Sequence, residues 1–560
     1  ARIAYSGLAE ERAFARLNAP AEPRVAVDLP ALREAGAPQP AADIVLDRGT
    51  GQGFAAHPNR SLLEGLESAG IKIDYGCRMG MCGADPVAVI DGQEHLSEPS
   101  ATELDTLNRL GLNGRARMAC VCKATRGGVT IDTKLDPHSL PVPVPEIPAV
   151  DMAVATGINR VVIIGNGAAG AAAADEIRRL SPTCAIDMVA REPELFYNRM
   201  AIGRVLYGRS AMAGLFLQGH DWAEKKSVTL WLNTSATAID TAKQEVHLGT
   251  GETLPYDRLV LAQGSRAASA NVPGDDLDGC FVLREASDAI TIRAFRQSHA
   301  CRTAIVVGGG VLGIEAADAL RQLGLSVTIL QRSSRLMNRQ LDERGGEILT
   351  HYLEGLGVTV IPHAELNRCM GDTRLTGVEL KDGTTLDADI MVTCAGIQPN
   401  IEIAQAAGLA TRRGVLVDQS MRTSDPHIFA VGDVAELPGA IGGLWAVSAA
   451  QGRIAAAALF GHDTAYTEPN TLVSLKMDGI DVKGFGLIAP QSADHAILLD
   501  PDNGHDQYRA IIADQTRLLG AIFVGPPGTG SPVADLIERK DDLGPLLAEL
   551  REGNWSSLNP

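Results

Sequence analysis

The sequence predicts an α/β protein, with parallel sheets covered by helices on both faces and a smaller mixed unit on either side. Three observations predict it. A β-branched run, a glycine-rich turn and an alanine-rich helical run occur in that order twice. The copies are Val161-Val-Ile-Ile-Gly-Asn-Gly-Ala-Ala-Gly170 and Ile305-Val-Val-Gly-Gly-Gly-Val-Leu-Gly313, 143 residues apart, which is one domain length. Five prolines at positions 137, 141, 143, 145 and 148 forbid helix and central strand and mark a semi-rigid linker before the first copy. Four cysteines, Cys77, Cys82, Cys120 and Cys122, crowd into 46 positions ahead of that linker.

The elements follow in chain order. Residues 1–40 carry scattered prolines without helical or alternating periodicity and read as an arm. A regular unit spans 41–135. Asp43–Asp47 and Gly53–His57 read as paired strands, and Ser61 with Glu64 forms a capping box opening a helix that Gly70 closes. Ser100 and Glu103 repeat the capping box before a short helix over Leu104–Leu110. The linker occupies 136–157. Beyond it a helix is expected over Ala171–Leu180 and a strand over Ala185–Val189. From 465 to 560, alternating segments such as Leu518–Val524 and a helix over Val533–Ile537 read as a small α+β unit.

Composition excludes several function classes. Of 560 residues, 45% are hydrophobic and 21% charged, so the chain is globular rather than disordered. The net charge of −18 repels a phosphate backbone, so no nucleic-acid partner is expected. No apolar stretch reaches the ~18 residues of a membrane span, and a soluble, cytoplasmic chain is the expectation. The sequence opens on Ala1 with no signal region after it, so its start is processed or an excerpt. Nine cysteines are too sparse for a disulfide framework, and the five outside the cluster are expected to be apolar, chemically idle thiols.

Gly165, Gly167 and Gly170 have the G-x-G-x-x-G spacing between a strand and a helix. Glycine there lets the backbone approach a pyrophosphate, whose charge meets the helix N-terminus. Glu192, 27 residues after Gly165 and just past the next strand, is placed to accept hydrogen bonds from a ribose. Gly308, Gly310 and Gly313 repeat the motif, but the following strand ends in Gln331, with Arg332 and Arg335 close behind. An acid there would hold a 2′-hydroxyl and repel a 2′-phosphate, so these residues favour NADPH over NADH.

Two such motifs followed by Thr423-Ser-Asp-Pro-His-Ile-Phe-Ala-Val-Gly-Asp433 resemble the two-dinucleotide flavoprotein reductases. The likeness is strongest to rubredoxin and ferredoxin reductases and to the flavin half of NAD(P)H nitrite reductase. Tyr256–Ser265, Val272-Pro-Gly274 and Thr393–Asn400 belong to the same pattern. The resemblance implies two Rossmann-like domains, one for FAD over 158–272 and 398–464 and one for NAD(P)H over 273–397. It implies that Arg199, Arg204, Gly264 and Asp433 meet the flavin, with Asp433 on its ribityl chain, and that Glu315 lies near the nicotinamide. The chain departs from it in three ways. The helix after the first motif lacks the redox cysteine pair of disulfide reductases, the lysine near the flavin is Arg204, and the threonine before Gly264 is Gln263.

The loop Tyr75-Gly-Cys77-Arg-Met-Gly-Met-Cys82-Gly-Ala-Asp85, with Cys120 and Cys122 further on, resembles plant-type two-iron two-sulfur ferredoxins. It implies an N-terminal β-grasp ferredoxin-like domain; a zinc ribbon would instead want two C-x2-C pairs. Asp85 stands where the third cysteine is expected. Cys77, Cys82 and Cys120 supply three ligands, and the fourth is Cys122 or Asp85. Cys122 is favoured, because on a strand two thiols two residues apart face one side. The whole implies an oxidoreductase carrying electrons from NAD(P)H through FAD to the cluster and on to an external redox protein. The alternatives are a redox-sensing module and the reductase component of an oxygenase or nitrite-type reductase.

Overall fold

The structure is a computed structural model that describes residues 44–56, 61–71, 73, 85–100, 103–104, 107, 112, 114, 116–135, 157–208, 211–218, 220–437, 443–467, 472–477, 479–526 and 543–556. The arm, nearly all of the proline-rich linker, Cys77, Cys82 and the helix expected over Val533–Ile537 lie outside the described residues.

The first unit is a five-stranded mixed sheet. Its strands run Gln52–Ala55, Ile44–Asp47, Val129–Asp132, Pro86–Asp91 and Ala116–Met118 across the sheet. The central pair Ile44–Asp47 and Val129–Asp132 is parallel and the other pairs are antiparallel. The helix Leu62–Ser68 starts at the expected capping box, with Ser61 Oγ accepting from Glu64 N and Glu64 returning the bond. It buries Leu62, Leu63 and Leu66 against Val45, Val129 and Ile131. The second capping box is corrected. Ser100 Oγ accepts from Glu103 N at 3.1 Å, but the Glu103 carboxylate turns inward to Arg117 at 2.8 and 3.0 Å and to Met118 N. A buried arginine needs a buried acid, and that outweighs an exposed cap.

Two five-stranded, wholly parallel sheets follow. The first runs Ile428–Ala430, Arg258–Leu261, Arg160–Ile164, Ala185–Val189 and Val228–Trp231. The second runs Cys280–Val282, Ile390–Thr393, Thr303–Val307, Ser326–Gln331 and Thr359–Pro362. Their strands are continuous apolar runs because both faces are covered. The chain leaves the first sheet after Leu261 and rejoins it at Ile428. The outward and return crossings pair as the antiparallel ribbon Ser265–Ala267 with Ile397–Pro399. Each sheet carries a three-stranded antiparallel insert.

A five-stranded antiparallel sheet closes the chain, from Val473–Met477 to Leu518–Gly525, with the helix Gly544–Arg551 on one face. Its other face shares a core with the second parallel sheet: Leu475, Val482 and Ile522 pack among Val306, Ile329 and Leu349. Tyr508 donates to Asp342 Oδ2 at 2.6 Å across this contact.

Candidate functional site

Both glycine loops are built by the same collisions. Gly165 sits at φ +114°, and a Cβ there would lie 2.1 Å from Ala262 O; Gly308 sits at φ +113°, and its Cβ would lie 2.6 Å from Cys394 O. Gly165 N donates to Val189 O at 2.7 Å and Gly308 N to Leu330 O at 2.8 Å, so each loop is tied to the next strand. A Cβ on Gly170 would stand 1.9 Å from Gly165 O, and one on Gly313 1.9 Å from Gly308 O. No side chain fits at these four positions. Gly167 and Gly310 differ: they are the N-cap residues of the helices Ala168–Leu180 and Val311–Gln322, and a Cβ on either would meet nothing within 4 Å. Their emptiness is not required by packing. It leaves the helix N-terminus open to a ligand, which suits a pyrophosphate.

Distant segments converge on the first loop. The helix Trp445–Leu459 packs so closely on Ala168–Leu180 that a Cβ on Gly452 would be 2.3 Å from Ala169 O. A Cβ on Gly432 would lie 3.1 Å from the Cβ of the same Ala169, which brings Asp433 to the loop. Gly264, at φ +63°, lies in the segment that Gly165 abuts. Asp433 Oδ2 accepts from Ser265 Oγ at 2.8 Å and from Arg284 at 2.5 Å, and its Oδ1 accepts from Gly443 N at 2.9 Å. Arg284 escaped the sequence reading. A lone arginine after the strand Cys280–Val282 looks like a solvated cation, and only the fold sets it against an acid 149 residues away.

Glu192 follows Ala185–Val189 as expected. Tyr197 OH donates to its Oε2 at 2.7 Å, and Arg199 ion-pairs with its Oε1. The Arg199 guanidinium also stands 4.9 Å from the Tyr197 ring centre. Burial and the neighbouring acid hold the Tyr197 phenol above its ordinary range, so it stays a donor. Arg199 is thus held beside Glu192, whereas Arg204, on the helix Ile202–Leu206, is exposed.

At the second loop Gln331 is buried. Its Oε1 accepts from Gly309 N at 2.8 Å and its Nε2 donates to Arg335 O at 3.0 Å and to Ser333 Oγ. Arg335, expected to meet a cofactor phosphate, is half-buried beside that loop. Its Nε donates to Leu341 O at 2.9 Å and its stem lies against Gly346, so it braces the helix Glu343–Gly355. Arg332 is exposed beside the loop. Glu315 lies in the first turns of Val311–Gln322.

In the first unit the residues around Cys120 are a turn: Val121 N and Cys122 N both donate back to Met118 O, at 3.1 and 2.9 Å. The strand on which Cys120 and Cys122 were to face one side ends at Met118. Cys122 is fully buried among Leu62, Leu63, Leu66 and Val87, and Cys120 is half-buried at the edge of that core. Burial pushes the Cys122 thiol up to about 12, against the pull of Arg117. Asp85 is 2% exposed; its Oδ2 accepts from Cys120 N at 2.5 Å, and its Oδ1 is buried with no partner among the described residues. Two of the cysteines outside the cluster, Cys280 and Cys369, lie in one core, where Cys280 Sγ donates to Gly274 O and Cys369 Sγ to Met391 Sδ, both at 3.6 Å.

Two strand–glycine loop–helix units on parallel sheets, joined by the ion pairs Arg284–Asp433 and Arg191–Glu285, define a two-nucleotide oxidoreductase. The chain belongs to the pyridine nucleotide-disulphide oxidoreductase family, whose model matches residues 159–453, and residues 45–125 match the 2Fe-2S iron-sulfur cluster binding domain. Its cofactors are FAD, NAD(P)H and a two-iron two-sulfur cluster. Nitrite reductase [NAD(P)H] of Bacillus subtilis is 32% identical over 390 residues, 69% of this chain and 48% of the relative. The benzene 1,2-dioxygenase system ferredoxin–NAD(+) reductase subunit of Pseudomonas putida is 36% identical over 281 residues, 50% of this chain and 68% of the relative. The covalent putidaredoxin reductase–putidaredoxin complex is similar at 26% identity and TM-score 0.60, over 71% of this chain and 99% of that one. The chain spans about half the length of the nitrite reductase it matches. Among the described residues no helix is long and apolar enough to cross a membrane.

Proposed function

We propose that the protein passes electrons from NAD(P)H by way of FAD to its own two-iron two-sulfur cluster and then to an external redox protein. The observation that carries this reading is the pair of glycine loops with matching geometry, one beside Asp433 and the other beside Gln331, in a chain that also has the cluster-binding domain. FAD supplies the step between the two-electron hydride of NAD(P)H and the single electrons a two-iron cluster takes.

The residues bind and orient. Gly165, Gly167, Gly170, Glu192, Arg199, Gly264 and Asp433 hold FAD, with Arg204 at the entrance, and Arg284 fixes the Asp433 carboxylate. Gly308, Gly310 and Gly313 receive the NAD(P)H pyrophosphate, Glu315 lies near the nicotinamide, and Arg332 favours a 2′-phosphate. Cys77, Cys82 and Cys120 ligate iron. The finer architecture is a β-grasp ferredoxin-like domain over 41–135, Rossmann-like FAD and NAD(P)H domains over 158–272 with 398–464 and over 273–397, and a small α+β domain over 465–560. A reducing, cytoplasmic compartment, where cysteine thiolates persist, is the location this reading calls for.

The reading is tested by assaying purified protein for FAD, iron and sulfide, then measuring NADPH and NADH oxidation with ferricyanide and cytochrome c as acceptors. Fast turnover with both, the cytochrome activity depending on the cluster, is the expected result. Slow turnover with a large cluster-dependent change in partner binding favours the redox-sensing module instead. The names of the relatives make an oxygenase or nitrite-type reductase the first acceptors to assay.

A further inference from the structure

The ferredoxin-type loop leaves the fourth iron ligand open between Asp85 and Cys122, and the structure separates the two. The Asp85 segment is docked on the turn that carries Cys120 by two hydrogen bonds: Ala119 N donates to Asp85 O at 2.9 Å, and Cys120 N to Asp85 Oδ2 at 2.5 Å. These bonds fix one carboxylate oxygen beside the backbone of a cysteine ligand and leave the other, Oδ1, buried without a donor among the described residues. A buried carboxylate oxygen with no partner is costly, and a cation removes the cost by supplying one. Ferric iron accepts a hard oxygen donor as well as thiolate.

Cys122 has none of these features. Its thiol lies in the core under the helix Leu62–Ser68. The turn at 119–121 separates it from Cys120, which is partly exposed where Cys122 is buried. To reach iron it would have to vacate a packed position.

We propose that Asp85, through Oδ1, is the fourth protein ligand of the two-iron two-sulfur cluster, and that Cys122 is a core residue with no part in ligation. The proposal rests on the reading that the chain holds such a cluster.

The full chain is reconstituted anaerobically with iron and sulfide as wild type, Asp85→Asn, Asp85→Cys and Cys122→Ala. Iron and sulfide are counted, and reduced samples are compared by electron paramagnetic resonance and oxidised ones by resonance Raman spectroscopy. Asp85→Asn keeps an oxygen to accept from Cys120 N but is a poor ligand, so its cluster affinity falls at least about tenfold. Asp85→Cys keeps the cluster and moves the resonance and Raman bands to an all-thiolate pattern. Cys122→Ala leaves iron content and spectra at the wild-type values.

Wild-type spectra in Asp85→Asn would reduce Asp85 to a positioning residue for the Cys120 turn and overturn the assignment. So would unchanged spectra in Asp85→Cys together with cluster loss in Cys122→Ala. Should Asp85→Asn fail to fold, the Asp85→Cys and Cys122→Ala pair decides alone. A wild-type chain that takes up no iron and sulfide overturns the electron-transfer reading itself, which sets that failure apart from a wrong ligand.

Discussion

The two nucleotide-type units are the same device with different locks. In each, a glycine at φ near +113° turns against the carbonyl of the neighbouring crossover strand and is tied to the next strand by its amide. Each also has an aspartate just before that crossover strand, capping the start of the glycine-loop strand. Asp257 Oδ2 accepts from Asn159 N and Arg160 N, and Asp389 Oδ2 from Arg302 N and Thr303 N. The locks differ at the end of the second strand. Glu192 is held by Tyr197 and Arg199, outside its loop, whereas Gln331 folds back onto Gly309 N inside its loop. In the proposed function, backbone collisions set where a dinucleotide lies, and one side chain per unit sets which dinucleotide is preferred.

The sharpest way to break this comparison is at the glycines. Gly165→Ala or Gly308→Ala adds left-handed strain and a clash with a carbonyl, costing about 2–5 kcal/mol. Gly167→Ala and Gly310→Ala change stability by less than about 0.5 kcal/mol yet weaken dinucleotide binding. Denaturant midpoints beside FAD content and NAD(P)H affinity separate the two effects.

Next in size is Arg284→Ala, which leaves the shielded Asp433 carboxylate without its cation and costs about 3 kcal/mol. Faster FAD loss from this variant than from Arg204→Ala, followed by flavin fluorescence, is the expected outcome.

A smaller effect sharpens the difference between the locks. Gln331→Glu moves the ratio of kcat/KM for NADPH and NADH about tenfold toward NADH. Arg332→Ala lowers the NADPH value alone.

The smallest effect is at Asp389. Burial works against its ionisation, but the amides of Arg302 and Thr303, the Thr303 hydroxyl and Arg374 outweigh it and hold its carboxyl below the usual range. A carboxyl lowered on folding contributes stability that is full above its unfolded value of about 3.9 and is lost as pH falls through the folded one. Urea titrations across that acid limb find a shallower decline in Asp389→Asn.

Much of this was legible in the sequence because sterics dictate it. Only glycine tolerates the positions of Gly165, Gly170, Gly308 and Gly313, and β-branched runs before them could only be buried parallel strands. Arg284 was illegible because its partners, Ser265 and Asp433, come from segments 19 and 149 residues away. The bond from Arg335 Nε to Leu341 O was illegible too, because that carbonyl faces it only once the helix Glu343–Gly355 is in place. The strand expected to carry Cys120 and Cys122 stops short at Met118, because two backbone hydrogen bonds to Met118 O end a strand that the residue pattern would have continued.

The central claim is that electrons travel within one chain from NAD(P)H through FAD to the cluster. Its most direct test is an anaerobic titration of the holoprotein with NADPH and, separately, NADH, following flavin absorbance and cluster electron paramagnetic resonance in the same samples. Flavin bleaching followed by a rhombic reduced-cluster signal is the expected result. Bleached flavin beside a cluster that stays oxidised would contradict it.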